Sequence, residues 1–128
     1  MSRNLVVWGA VAALLAGGTG CASTAPSQAL QWEAMHSTKP SVHRRLATAY
    51  RHSAKKLRKR AARFQALADE MSAAHEWKGL TPEARASLIV HYKDLAKNFA
   101  DSAQENEELA DEHEEHADAL ENIKGMLE

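Results

Sequence analysis

Apolar positions between residues 42 and 77 recur with a period of seven. One column of the repeat carries large side chains, and a second column, four residues further along, carries alanine: Tyr50, Leu57, Phe64 and Met71, then Ala47, Ala54, Ala61 and Ala68. Apolar residues at this spacing lie on one face of an α-helix and form the seam of a coiled coil. The pattern predicts a helix over 42–77 with Ser41 as its N-cap.

The same device returns between residues 82 and 124. Three columns repeat every seven residues, two of them large and one of them alanine: Leu88, Leu95 and Leu109; Tyr92 and Phe99; Ala96, Ala103, Ala110 and Ala117. This spacing predicts a second helix, and the alanine columns predict that the two backbones approach closely. At ~1.5 Å per residue the helices run for about 55 to 65 Å.

Residues 78–83 interrupt the two patterns. Gly79 permits the left-handed backbone that ends a helix, Thr81 is a suitable N-cap, and Pro82 fits the first helical position. A break this short between long helices folds them back as an antiparallel pair. The predicted fold class is therefore all-α: a long antiparallel two-helix hairpin over 41–128, coiled-coil-like with an alanine-rich seam and a hinge at 78–82.

Two helices alone bury only one stripe each, and a small domain buries too little surface to be very stable. Apolar residues widen the stripe beyond a two-helix seam: Leu46, Leu67, Ile89, Leu120 and Ile123. We expect the hairpin to pair with a second copy as a four-helix bundle. A short amphipathic segment at 30–36 is the alternative cover for part of this face.

Charge is distributed unevenly between the two arms. Nine basic residues and no acid lie between Arg44 and Arg63, whereas ten acids and no base lie between Asp101 and Glu121. Folding at the hinge sets positions that sum to about 159 side by side. The predicted ion pairs are Arg58–Asp101, Arg51–Glu108 and Arg44–Glu115. Because the facing acidic helix neutralises the basic run, we expect no binding of nucleic acid, and any residual attraction is toward anionic lipid head groups.

The first twenty residues have the organisation of a secretory signal. Arg3 precedes an uncharged run over 5–16, and a stretch of small residues follows over 17–20. The uncharged run is too short to span a bilayer, as is usual in a signal peptide. Thr19, Gly20 and Cys21 resemble the lipobox of bacterial lipoproteins, with Gly18 where leucine is usual. The resemblance implies cleavage before Cys21 and a lipid on its sulfur. The alternative is an ordinary signal peptide cut nearby, which leaves Cys21 unmodified.

The lipoprotein hypothesis predicts a signal peptide over 1–20. It predicts that residues 21–40 comprise the lipidated cysteine and a flexible tether with the possible short helix. Ala22 is not the aspartate that often retains such lipoproteins in the inner membrane. The resemblance therefore places the protein at the periplasmic face of the outer membrane, bound through its lipid anchor. As the single cysteine of the chain, Cys21 excludes an internal disulfide.

Seven histidines are many for 128 residues. By the sum of about 159, His43 falls opposite His116 at the open end of the hairpin, and His113 flanks them. Imidazoles beside Glu112 or Glu115, with Met35 and Met126 farther out, suit zinc or copper. The metal ligands predicted on this hypothesis are His43, His113 and His116; the alternative is packed or partly exposed histidines without a metal, in a protein with no cofactor but the lipid.

Enzyme motifs are missing from the sequence. The run from His113 to His116 spaces its histidines three apart, whereas the zinc protease motif needs four. No glycine-rich phosphate loop occurs, and no serine or cysteine nucleophile stands beside a base. The sequence predicts that the protein is not an enzyme.

The whole chain resembles a small bacterial lipoprotein with a helical-hairpin body. Its hinge sequence Leu80-Thr81-Pro82-Glu83 is also similar to the Leu-Thr-x-x-Gln motif of the Spy and CpxP group of periplasmic helical proteins, with Ala84 in place of the glutamine. Two functions follow as expectations. The first is a non-catalytic structural or interaction lipoprotein that binds itself or an unidentified envelope protein, and the second is a metal-binding or chaperone-like envelope-stress protein.

Overall fold

A computed structural model describes residues 25–74, 77 and 79–128. Within these residues the secondary structure is entirely helical, in three helices: α1 (Gln28–His36), α2 (Pro40–Ala73) and α3 (Pro82–Leu127). The two long helices, α2 and α3, pack against each other, and α1 packs on α2. The predicted all-α hairpin is confirmed to this extent. The signal segment 1–20, Cys21 and Lys78 lie outside the described residues.

Stacked alanines line the contact between the long helices. The buried residues of α3 are Ala96, Ala103, Ala110 and Ala117, each the seventh after the last. Ala103 packs with Ala54 and Leu57 of α2 in one buried cluster, against which Phe99 also packs. Because a methyl group takes little space, the seam accepts a large side chain from one helix opposite an alanine of the other. The predicted alanine-rich seam is therefore present in the packing.

A ladder of ion pairs fixes the antiparallel direction. Arg44 Nη1 lies 2.6 Å from Glu121 Oε1, Arg51 Nη1 lies 3.0 Å from Glu114 Oε2, and Arg58 Nε lies 3.0 Å from Glu107 Oε1. Each step is seven residues up one helix and seven down the other. The hydrogen bonds from the arginines lower the pKa of the carboxyls of Glu107 and Glu121.

The individual ion pairs predicted from the sequence are wrong, because most of the observed partners lie three or six residues further along α3. Arg58 binds Glu107 rather than Asp101, which instead pairs with Lys97 of its own helix. Arg51 binds Asp111 and Glu114 rather than Glu108, and Arg44 binds Glu114, Asp118 and Glu121 rather than Glu115. Side chains lean toward the N-terminus of their own helix, so long side chains on antiparallel helices meet beyond the point where their backbones are level.

Contacts through short side chains keep the predicted register. Asn106 Nδ2 donates to Ser53 Oγ at 3.3 Å, and these positions sum to 159. Ser53 is buried, so this polar pair lies inside an otherwise apolar seam. A shift of the helices by one turn would separate the two groups and leave the serine hydroxyl without its partner, which favours the observed register.

Two helix ends differ from the prediction. The α2 helix ends at Ala73 rather than at residue 77, because Ala74 is extended (φ −77°, ψ 129°) and the Arg85 guanidinium donates to its carbonyl. At the other end α2 begins at Pro40, so Ser41 is inside the helix and is not its N-cap. The fixed φ of proline suits the first helical position, which explains the earlier start.

The hinge residues behave as predicted. Gly79 has a φ of 75°, and the side chain of Thr81 accepts a hydrogen bond from the Ala84 amide at 3.2 Å. Pro82 stands in the first turn of α3, where Glu83 is the acidic residue. These groups end the link between the helices and set the direction in which α3 leaves it.

The short helix α1 covers the open-end half of one side of α2. It begins at Gln28, two residues before the predicted segment, with the Ser27 hydroxyl accepting from the Leu30 amide at 3.3 Å. Leu30 and Ala34 pack against Val42 and Leu46 of α2. No helix in the described part of the chain is both long and apolar enough to cross a membrane.

The two described glycines offer a matched test of the hinge. A Cβ at Gly79 would meet nothing within 4 Å, but its φ of +75° is unfavourable for other residues; Gly125 is helical and equally unobstructed. We expect Gly79→Ala to lower the free energy of unfolding by ~1 kcal/mol and Gly125→Ala to raise it by ~0.5–1 kcal/mol. Urea unfolding followed by circular dichroism measures both. Equal effects of the two substitutions would contradict a left-handed hinge.

Candidate functional site

Three histidines meet where the hairpin opens. The ring centroids of His43 and His116 are 4.4 Å apart, and those of His43 and His113 are 5.4 Å apart. Tyr50 stacks on His113 with its ring nearly parallel, at 5.8 Å. The structure therefore brings together the three residues that the sequence analysis singled out, on the second turn of α2 and on α3.

Hydrogen bonds define the protonation of this cluster. His43 Nε2 lies 3.1 Å from the Ser37 carbonyl oxygen, which can only accept, so Nε2 carries the proton. Nδ1 of a neutral His43 is then an acceptor, and His113 Nδ1 donates to it at 3.2 Å. This assignment leaves His113 Nε2 with a free lone pair. The link between α1 and α2 thereby orients a buried imidazole on α2.

A cleft of about 340 Å³ lies beside the three histidines. Besides their rings, its lining comprises side chains from α1 and α3 and the residue after α1: Ala34, Met35, Ser37, Leu109 and Glu112. Glu112 was predicted as a carboxylate neighbour of the histidines and Met35 as a residue farther out, and both line the cleft. The alternative carboxylate, Glu115, and the predicted Met126, which is 84% exposed, are not part of the lining. The cleft combines imidazole, carboxylate and thioether groups on one small surface.

The arrangement of these rings is that of a stack. His43 Nδ1 and His113 Nδ1, 3.2 Å apart, are close enough to share one ion at the ~2.0–2.1 Å typical of zinc–imidazole bonds. Among the residues that the structure describes, however, no three His, Cys, Asp or Glu side chains are placed around one point as a metal ion requires. The two Nδ1 atoms hydrogen-bond to each other, so a metal ion would have to replace the proton between them and recruit a third side chain.

Burial controls the ionisation of His113. Loss of solvent is the main cause that lowers its pKa below 6.5, and the neighbouring charges of His43 and His116 lower it further. Neutral imidazole is the form that binds metals and that accepts and donates within the stack. Burial therefore favours the unprotonated ring of His113 at neutral pH.

The other described histidines take no part in this cluster. His52 and His91 are exposed, and His36 is exposed and stacks on Trp32 with ring centroids 4.3 Å apart. His75 lies outside the described residues.

A second feature is an apolar strip on the side of the hairpin opposite the ion-pair ladder. In the open-end half α1 covers the α2 column of this side by packing on the buried Leu46, whereas Leu109 of the α3 column borders the cleft and is 36% exposed. In the hinge half α1 is absent, and the leucines of the same columns remain partly exposed: Leu67, Leu88 and Leu95. We call these three residues the leucine strip.

Sequence reasoning missed the contribution of the turn before α2. The Ser37 carbonyl holds His43, and Tyr50 stacks on His113, yet neither group was expected at the cluster. His43 and Tyr50 are seven residues apart in one column of the repeat, and this spacing could have predicted that the tyrosine lies at the cluster. A backbone carbonyl in a turn has no sequence signal of this kind.

Comparison of the chain with protein families, with curated proteins and with solved structures found no match.

The buried His113 predicts a pH dependence of stability. Its pKa in the folded protein lies below the unfolded value of about 6.5, so the unfolded chain binds the proton more readily and stability falls as the pH drops through 6.5. The ladder carboxyls, whose pKa values are lowered, lose their contribution only below about pH 4.5. Urea unfolding between pH 7.5 and 5.5, in the presence of EDTA, separates the two windows.

Between pH 7.5 and 5.5 we expect the free energy of unfolding to fall less steeply in His113→Gln than in the parent protein. In His91→Gln, a change at an exposed position, it should fall as steeply as in the parent protein. An equal decline in both variants would show that His113 is not the responsible group.

Proposed function

We propose that this protein is a non-catalytic lipoprotein of the bacterial cell envelope, anchored by Cys21 at the periplasmic face of the outer membrane, whose helical hairpin binds a second copy of itself. The observation that supports it is the asymmetry of the hairpin. One side is closed by the ion-pair ladder, while the other carries the leucine strip, which α1 is too short to cover.

The leucine strip suits a second copy for two reasons. Leu67 and Leu95 lie beyond the end of the α1 contact, on the same side as the buried Leu46, so the apolar surface continues where its cover stops. Two hairpins that place these strips together would complete a four-helix bundle, in which each helix buries a wider stripe. The partner contributes the layer that a lone pair of helices lacks.

The anchor has a direct chemical test. We expect mass spectrometry of the N-terminal peptide to find diacylglyceryl-modified Cys21 as the first residue of the membrane-bound protein. A Cys21→Ser variant should leave the membrane fraction or retain its signal segment. An unmodified Cys21 in protein recovered from membranes contradicts the anchor.

Association through the leucine strip is tested by mass. Sedimentation of the detergent-solubilised full chain should give twice the mass of one chain. Replacing a leucine in an apolar contact costs ~1.5–3 kcal/mol, so Leu95→Gln should weaken association by roughly 10- to 100-fold. The control is Val90→Gln, which changes a 59% exposed apolar residue outside the strip. Equal loss in both variants, or a monomeric parent, argues against this interface.

Metal binding is the second candidate function. It is favoured by the 3.2 Å separation of the His43 and His113 Nδ1 atoms and by the bond from His43 Nε2 to the Ser37 carbonyl. A backbone acceptor on the second nitrogen is the usual way in which proteins orient a metal-binding histidine. Rotation of His116, or of Glu112 across the cleft, would supply a third ligand for zinc or copper.

A titration distinguishes this candidate from the first. Calorimetry with Zn²⁺ and Cu⁺, on full chain purified without a histidine tag, should show submicromolar binding of one ion. The triple variant His43→Ala, His113→Ala and His116→Ala should lose it, while the double variant His52→Ala and His91→Ala keeps it. Binding weaker than micromolar in the parent protein would contradict a metal-binding function.

A further inference from the structure

The ion-pair ladder neutralises only the inner edge of the basic arm. On the side of α2 turned away from α3, four cations are exposed: Lys55, Lys56, Lys59 and Arg63. None of the four has an ion-pair partner among the residues that the structure describes. We call this set the basic face. It carries charge +4 over about two turns of helix.

The corresponding side of α3 carries the opposite charge. Four of its exposed carboxylates also lack an ion pair within the described residues: Asp94, Glu105, Glu108 and Glu115. The hairpin is therefore positive along one edge and negative along the other, although the net charge of the chain is only −1. In the field of a charged surface, such a body has one preferred orientation.

The helix α1 places apolar groups beside the basic face. It runs antiparallel to α2, since Leu30 borders a cleft with Ala49 and His52 while Ala34 packs near Val42. Lys56 and Arg63 follow Ala49 at seven-residue steps on the same side of α2. On α1 itself, Trp32 is 64% exposed, whereas Met35 borders the histidine cleft on the side of α3.

The position of α1 also determines where the N-terminal segment joins the hairpin. Leu30, near the start of α1, borders a cleft with Ala49 and His52, so the N-terminal segment reaches the hairpin on this side of α2, five residues after Ala25, the first described residue. Four peptide units separate it from Cys21 and span at most about 14 Å. A lipid on Cys21 would therefore hold a bilayer close to the basic face and to Trp32.

We propose that the basic face, together with Trp32 of α1, docks on an anionic lipid surface, so that the hairpin lies along the bilayer with α3 turned away from it. Lysine and arginine attract anionic head groups, and an exposed tryptophan is suited to the boundary between head groups and acyl chains. The argument from the tether rests on the anchor under the proposed function, whereas the charge and exposure of the face do not.

Two matched labels test the orientation. Ala62→Cys lies beside the basic face and Gln104→Cys lies beside the acidic edge; both residues are exposed, and both occupy the same position of the seven-residue repeat. Each full-length variant is labelled with a fluorophore and reconstituted into phosphatidylcholine vesicles with and without phosphatidylglycerol. Acrylamide quenching reports exposure to water.

With the anionic lipid we expect quenching at position 62 to fall several-fold and quenching at position 104 to stay unchanged, with the difference abolished by 0.5 M salt. Each charge contributes about five-fold to the ratio of docked to undocked protein, so four substitutions lower it several hundred-fold. The variant with glutamine at Lys55, Lys56, Lys59 and Arg63 should lose the protection. The control, with amides at Asp94, Glu105, Glu108 and Glu115, should keep it.

Three results would overturn the proposal: equal quenching at both positions, protection that does not depend on anionic lipid, and protection at position 104, which indicates contact with a second copy. Circular dichroism confirms that the exposed substitutions leave the helices folded. Mass spectrometry of Cys21 on the same samples tests the anchor separately. If the cysteine is unmodified, the labels are placed in the Cys21→Ser chain, and docking is decided there without it.

Discussion

Close packing of alanines between two antiparallel helices is the constraint on which the rest of the structure depends. Ala96, Ala103, Ala110 and Ala117 provide all the fully buried positions of α3, so this helix contributes little volume to the core and lets α2 approach. Larger side chains such as Leu57 occupy the space across the seam. The short distance between backbones is what allows arginines of one helix to reach carboxylates of the other.

Charge and polar contacts then select one register from those that the seam permits. Exposed ion pairs contribute little to stability individually, because water screens them and long side chains lose freedom. Three pairs at seven-residue steps nevertheless penalise any shift, since a shift would break them together. The buried pair of Ser53 and Asn106 adds a stronger penalty, because a buried hydroxyl without a partner is costly. Orientation and stability thus come from different groups.

The same register assembles the histidine cleft and leaves two surfaces uncovered, the leucine strip and the basic face. His43 is level with His116 only because the helices pair as they do, and the Ser37 carbonyl fixes His43 only because α1 folds back along α2. Where α1 ends, the leucine strip is uncovered. On the side of α2 turned away from α3, the four cations of the basic face have no ion-pair partner among the described residues. The proposed partner and the proposed lipid contact each follow from one of these surfaces.

Much of this arrangement was predictable from the sequence. The period of seven indicated both helices, and Gly79, Thr81 and Pro82 indicated the bend, because each residue type has a local backbone preference. The meeting of His43, His113 and His116 followed from the pairing sum. The ion-pair partners were mispredicted, because the sum locates backbones and long side chains lean along the helix. Arg85 donates to the carbonyl of Ala74, eleven residues earlier, at the point where α2 ends, and no local pattern reveals this contact.

The alanine seam is tested most directly by enlarging one of its residues. Ala103→Leu places three additional carbons at a position that is 0% exposed, and Ala100→Leu makes the same change at an exposed position of the same helix. Urea unfolding followed by circular dichroism should show a loss of ~1–3 kcal/mol in the free energy of unfolding for Ala103→Leu and little change for Ala100→Leu. If both variants are as stable as the parent protein, the helices do not meet over their alanines, and the pairing described here is wrong.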